Sequence, residues 1–214
     1  MSVMMGAFIM IFLAEMGDKS QFMAFCLASR YRARTVLMGV FFATLLNNGT
    51  AIFIGTIFAE MINLEIVKVV SGVIFLVFGA WTLLEKREQA ENINVKDSLG
   101  SFLSIVSLFI IAEMGDKTQI ASAVYAATYN APFLTLAGVM AGMLLADALG
   151  IYLGVRLQDL LPFARLKIIS SVVFFLLGGI NFISSILVPP IAIWFLLIFY
   201  ALMLKLFIDR RRHP

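Results

Sequence analysis

The sequence predicts an all-α, polytopic membrane protein: two inverted three-helix repeats followed by a seventh transmembrane helix. Three observations predict it. Hydrophobic residues make up 62% of the chain and charged ones only 14%, with a mean hydropathy of +1.00. A soluble domain carries about 45–50% apolar and about 25% charged residues, and no core of this size absorbs the difference, so lipid must solvate much of the surface. The apolar residues fall into seven stretches, most of them close to the roughly 20 helical residues that cross a hydrocarbon layer of about 30 Å. Finally, the chain repeats itself halfway along.

The predicted spans are 4–28, 36–58, 66–84, 99–127, 132–155, 166–188 and 191–208, the last being the shortest. Backbone groups in lipid must be satisfied internally, so these are helices; they lack the short alternating pattern of a barrel. The first stretch has no basic leader region and runs past signal-peptide length, so it reads as a retained span. Cys26, the single cysteine, lies in this stretch and is expected to pack as a small hydrophobe.

Orientation follows from the cations. Of the 16 Lys and Arg, all but Lys68, Lys19 and Lys117 fall on one side: Arg30, Arg32 and Arg34; Lys86, Arg87 and Lys96; Arg156, Arg165 and Lys167; and Lys205 with Arg210, Arg211 and Arg212. This bias puts the N-terminus outside and the C-terminus in the cytoplasm. It also requires the seventh span, without which the last cluster would be stranded outside. The pI near 9.1 therefore reflects loops rather than a nucleic-acid face. The single histidine, His213, is a tail residue.

Ala14–Gln21 reads Ala-Glu-Met-Gly-Asp-Lys-Ser-Gln, and Ala112–Gln119 reads the same with Thr for Ser, 98 residues later. After one inserted residue the offset is 99: Gly39, Ala43, Asn47, Ala51 and Gly55 match Gly138, Gly142, Ala146, Gly150 and Gly154, and Ser71, Phe75 and Gly79 match Ser170, Phe174 and Gly178. The repeat thus covers three helices, and an odd number of spans inverts the second copy. The expected organisation is a first repeat over 1–84, a cytoplasmic linker over 85–98, a second repeat over 99–188, and a seventh helix with a basic tail over 189–214. The mostly small residues recurring every four positions in the second and fifth spans predict close helix packing.

Glu15 and Asp18 fall in the middle of the first span, Glu113 and Asp116 in the middle of the fourth. A charge at the bilayer centre costs at least about 2.5–3.5 kcal/mol, so these carboxylates must face protein or water. At a spacing of i, i+3 each pair would share one helical face, and in inverted repeats the two pairs can meet. Hard cations take oxygen ligands. Ser20, Gln21, Asn48, Thr118, Gln119 and Asp147 can supply more oxygens; Asn48 and Asp147 occupy matched positions. With no histidine and one cysteine in the spans, a soft-ligand site is excluded. Four carboxylates and two lysines leave a charge of −2, which one divalent cation neutralises; Asp147, if ionised, makes it −3. With the cation gone, protons take its place on crowded, desolvated carboxylates, which is the simplest basis for antiport. Two points stay open: Lys19 and Lys117 can each pair within their own motif with Glu15 or Glu113, and Gly17 and Gly115 can serve packing or helix unwinding.

The doubled Glu-x-Gly-Asp-Lys-Ser/Thr motif resembles the signature of the Gdt-type Ca²⁺/Mn²⁺:H⁺ antiporters, a family including human transmembrane protein 165 and bacterial manganese exporters. The resemblance implies cation/proton exchange with Mn²⁺ or Ca²⁺ as transported substrate, H⁺ as counter-ion and no resident cofactor. It carries a metal role onto Glu15, Asp18, Glu113 and Asp116, with Ser20, Gln21, Thr118 and Gln119 in support. The family core is six helices, so a seventh is a departure. The short chain without a eukaryotic-style leader implies Mn²⁺ export across a bacterial plasma membrane. The expected partners are the bilayer and divalent cations. An exporter of amino acids or other small organic solutes would need aromatic and mixed polar groups at the midplane. An acidic-filter channel conflicts with the inverted repeat, and an enzyme lacks a nucleophile–base set.

Overall fold

The computed structural model describes residues 2–84, 101–160 and 163–189, and beyond them Ile191, Trp194, Leu196, 198–203 and Lys205. The linker expected over 85–98 and the basic tail, with His213, lie outside the described residues, as do the side chains of 153–167. Eight helices form among the described residues: α1 (Val3–Glu15), α2 (Lys19–Ala28), α3 (Ala33–Glu60), α4 (Leu64–Leu84), α5 (Ser101–Glu113), α6 (Lys117–Tyr129), α7 (Pro132–Leu160) and α8 (Phe163–Ile183). Positions described between Ile191 and Lys205 are also helical, in the region of the predicted seventh span.

One difference from the predicted spans matters for everything below. The first and fourth spans are not continuous helices: each breaks at its acidic motif, giving α1 and α2, and α5 and α6. The cause is local. Gly17 and Gly115 adopt φ of +83° and +78°, a left-handed conformation that glycine enters without the penalty a Cβ carries. Asp18 then restarts the helix as the N-cap of α2, its carboxylate accepting from the Lys19 amide at 2.8 Å. With 13 and 10 residues, α1 and α2 together still rise about 35 Å.

The helices α3, α4 and α7 are each long and apolar enough to cross a membrane. Along α4, Ile66, Val70, Val73, Val77, Trp81 and Leu84 form one exposed stripe, while Val67, Ser71, Phe75, Phe78 and Thr82 are buried. A helix that is apolar on its exposed face as well is built for lipid.

The repeats interlock rather than sit side by side. α1 lies along α7, and α3 lies along α5 and α6; α4 pairs with α8. Two apolar clusters result. One combines Ala7, Met10 and Ile11 of α1 with Ala121, Tyr125 and Ala126 of α6. The other combines Met23, Ala24 and Leu27 of α2 with Ile105, Val106 and Phe109 of α5. The segment before one break therefore packs beside the segment after the other, which requires the two broken spans to run in opposite directions. The hydroxyl of Tyr125, late in α6, donates to the Val3 carbonyl at the start of α1 at 3.3 Å. Phe75 and Phe174, matched positions in the two repeats, stack on each other with centroids 6.2 Å apart, marking where the pseudo-two-fold axis passes. Small residues hold the crossings close: a Cβ on Gly55 would come within 3.1 Å of Ala123, and one on Gly142 within 3.0 Å of the Phe8 carbonyl. Outside this unit, Tyr200 donates to the Phe175 carbonyl at 2.6 Å and packs its ring on Phe175.

Candidate metal centre

Each break is a short turn closed by the same bonds. The Asp18 amide donates to the Glu15 carbonyl and the Asp116 amide to the Glu113 carbonyl, both at 3.1 Å. The amide of Gly17 donates to Gln21 Oε1 at 2.9 Å, and that of Gly115 to Gln119 Oε1 at 2.7 Å. The other end of each glutamine crosses to the opposite repeat. Gln21 Nε2 donates to the Ala146 carbonyl at 2.7 Å, and Gln119 Nε2 to the Asn47 carbonyl at 3.0 Å. Asn47 and Ala146 are themselves matched positions, so the two brackets are equivalent. These links were invisible in the sequence, although the glutamine's place at the end of both motifs was a signal.

The brackets make a graded prediction. Gln119→Ala takes away the acceptor of the Gly115 amide, at a cost of about 1–3 kcal/mol if that group stays dry, and leaves the Asn47 carbonyl with Thr50 Oγ1 as its side-chain donor. Gln119→Glu keeps the acceptor and loses the donor, so its thermal unfolding midpoint in detergent should fall between those of Gln119→Ala and the unaltered chain. Equal midpoints for all three would remove the bracket.

The breaks also bring the motifs together across the repeats. Glu15, Asp18 and Asp116 can each contribute one carboxylate oxygen to a group lying within 4.8 Å of one another. The shared helical face expected for Glu15 and Asp18 does not exist, because the turn separates them; the break in the helix, not the helix period, sets their spacing. Glu113 stands outside this triple, although it lies within electrostatic reach of Glu15, Asp147, Asp116 and Asp18.

The hydrogen-bond partners differ between the acids. Glu15 Oε2 accepts from Ser20 Oγ at 2.5 Å, and Asp116 Oδ2 accepts from Thr118 Oγ1 at 3.4 Å. Asp18 Oδ2 lies 3.1 Å from the ammonium of Lys117. The in-motif pairs weighed above, Glu15–Lys19 and Glu113–Lys117, are replaced by this cross-repeat pair. Lys19, the first residue of α2, is exposed. Among the described residues, Glu15 Oε1 and both oxygens of Glu113 and Asp147 are buried without a hydrogen-bond donor. Asn48 donates to Met143 Sδ at 3.5 Å, and its Oδ1 is buried and unpartnered. Buried acceptors left this way are costly unless a proton or a cation meets them.

Comparison with known proteins agrees with this architecture. The family model described as "Divalent cation/proton antiporter GDT1" matches residues 3–90 and 101–188, one match per repeat. A protein of Vibrio cholerae named "Putative manganese exporter" is 34% identical over 83% of this chain and 89% of its own length. A GDT1-like protein of Synechocystis is 26% identical over 83% of this chain and 95% of its own. The rice chloroplast protein "GDT1-like protein 2" is 29% identical, with the match covering 82% of this chain but 59% of the longer relative. No solved structure matches. Two matched repeats and relatives aligned over most of their length place the chain in the GDT1 family of divalent cation/proton antiporters.

Proposed function

We propose that this chain exports Mn²⁺, with Ca²⁺ as the second candidate, in exchange for protons by alternating access, and that Glu15, Asp18, Glu113 and Asp116 bind the cation. The observation that carries the reading is the convergence of Glu15, Asp18 and Asp116 from two repeats within 4.8 Å. Oxygens on opposite sides of a hard cation are separated by about 4–5 Å at ordinary ligand distances, so this spacing suits a cation between them. The unpartnered oxygens of Glu113, Asp147 and Asn48 are the further donors nearest to hand. Ser20 and Thr118 orient carboxylates through the hydrogen bonds described, and Gln21 and Gln119 hold the turns.

The name of the Vibrio cholerae relative supports Mn²⁺ as cargo. The same relative supports a bacterial plasma membrane setting, and the distribution of Lys and Arg supports an N-terminus outside. The transport unit is the pair of repeats, 1–84 and 99–188, joined by the linker 85–98; the helix after 189, resting on the outside of α8, is accessory. Exchange rather than catalysis is the reaction, a reading supported by the antiporter family to which the chain belongs.

Proteoliposomes with a pH dye in the lumen test the reading. Mn²⁺ added outside should enter while the lumen becomes alkaline, and Asp116→Asn should lose both signals. Because protons compete with the cation for the same oxygens, apparent Mn²⁺ affinity should fall as the outside pH is lowered. Metal entry without a pH change would replace the antiporter by a uniporter or channel. Inert Mn²⁺ and Ca²⁺ would point to organic solutes.

A further inference from the structure

The two motifs are held alike where they meet the opposite repeat and unlike where they carry charge. Both glutamine brackets are formed. The lysines, however, take different places: Lys117 is buried against Asp18 of the other repeat, while its counterpart Lys19 is exposed and makes no ion pair among the described residues. The hydroxyls differ too. Ser20 reaches Glu15, but Thr118 turns to Asp116 and leaves Glu113 without a donor. Even the turns differ in cover, with Met16 7% exposed and Met114 67%.

Two nearly identical motifs have the same chemical options, yet each realises only one. Such inequivalence between equivalent elements is what a single end-state of an alternating cycle contains; the other end-state holds the same arrangement with the roles reversed. We propose that Lys117 and Lys19 are alternating internal counter-ions of the acidic cluster: Lys117 pairs with Asp18 here, and in the opposite-facing state Lys19 pairs with Asp116 while Lys117 withdraws. The proposal rests on the alternating-access reading above. The chemistry is economical. An ammonium beside Asp18 holds the charge balance of a cluster that is losing or awaiting its cation. The cargo must displace that ammonium to gain the oxygen, so cation entry and lysine release are one event. Both lysines are positioning residues, acting through the carboxylates and not on the cargo itself.

Thiol labelling in proteoliposomes distinguishes the states. In a Cys26→Ser background, Met16→Cys and Met114→Cys are introduced separately and labelled with N-ethylmaleimide, which crosses the bilayer and so ignores protein orientation. With both lysines present, position 114 should react faster than position 16. Lys117→Gln should raise the rate at 16 and lower it at 114, by about threefold or more if the populations shift as an exchange requires. Lys19→Gln should move both rates the opposite way, and Lys117→Arg should restore the original pattern. Shifts in the same direction for both glutamine variants, or no shift at either position, would overturn the proposal. Lys19→Gln alters an exposed side chain, so this arm survives even if Lys117→Gln fails to fold. Mn²⁺/H⁺ exchange by the unaltered chain is measured in the same vesicles: its absence overturns the antiport reading, while the labelling pattern still decides the counter-ion exchange.

Discussion

Glu15→Gln should reduce Mn²⁺-driven proton movement by at least about 100-fold, because losing even an outer-shell partner of a metal costs about 10–100-fold and Glu15 is placed to bind directly. The substitution is chosen to spare the fold. The glutamine carbonyl can still accept from Ser20 Oγ, the bond that now fixes Glu15 Oε2, and the side-chain volume is unchanged. What disappears is one negative charge from the triple formed with Asp18 and Asp116. Transport and Mn²⁺ binding should therefore fall together, while the unfolding midpoint in detergent holds or rises, since a desolvated charge among like charges has been removed. Retention of more than a tenth of the exchange rate would take Glu15 out of the cation path.

Gly178→Ala should be strongly destabilising. At this position of α8 a Cβ would lie 2.9 Å from the carbonyl oxygen of Gly72 and 2.9 Å from the backbone nitrogen of Leu76, both on α4. Neither is the end of a flexible side chain, so the helices must move apart. Overpacking of this kind costs about 1–3 kcal/mol, and here it is applied at the interface that carries the stacked Phe75 and Phe174. Gly49→Ala is the control. A Cβ there meets nothing within 4 Å, and alanine gains about 1 kcal/mol over glycine inside a helix. Thermal unfolding in detergent should thus move in opposite directions for the two variants. Equal shifts would mean that the α4–α8 contact is not the close crossing described.

Much of this architecture can be read from the sequence, for physical reasons that differ by element. Lipid-facing stripes such as Ile66 to Leu84 are legible because bulk hydropathy measures the solvent directly. The repeat is legible because matched positions share packing duties: Gly55, Gly138 and Gly142 sit where backbones approach closely. The identities of the acids are legible because a charge in lipid has few structural uses. Their grouping is not. Asp18 and Asp116 meet because glycine breaks the helix before each of them, and a glycine in an apolar run is compatible with both a straight and a broken helix. The partner of Lys117 is hidden for another reason. Its long apolar stem lets the ammonium land well away from its own backbone, so spacing along the chain says little about which carboxylate it finds. Glu113, matched to Glu15 in sequence, lies outside the close triple because the two repeats share a sequence but not an environment.

The interlocked clusters have a consequence for biogenesis. α1 packs against α6, α7 and α8, so the first half of the first broken span meets its helical partners only when the second repeat has been synthesised, whereas α2 already has α3 beside it. Asp18 likewise enters the membrane 99 residues ahead of Lys117, the cation that neutralises it. The nascent first repeat must therefore be inserted with its acidic turn still hydrated or sheltered by the insertion machinery, and it becomes a stable bilayer resident only when its twin arrives. Membrane insertion and assembly are separate stages for this chain, and the seam between them runs through the transport site.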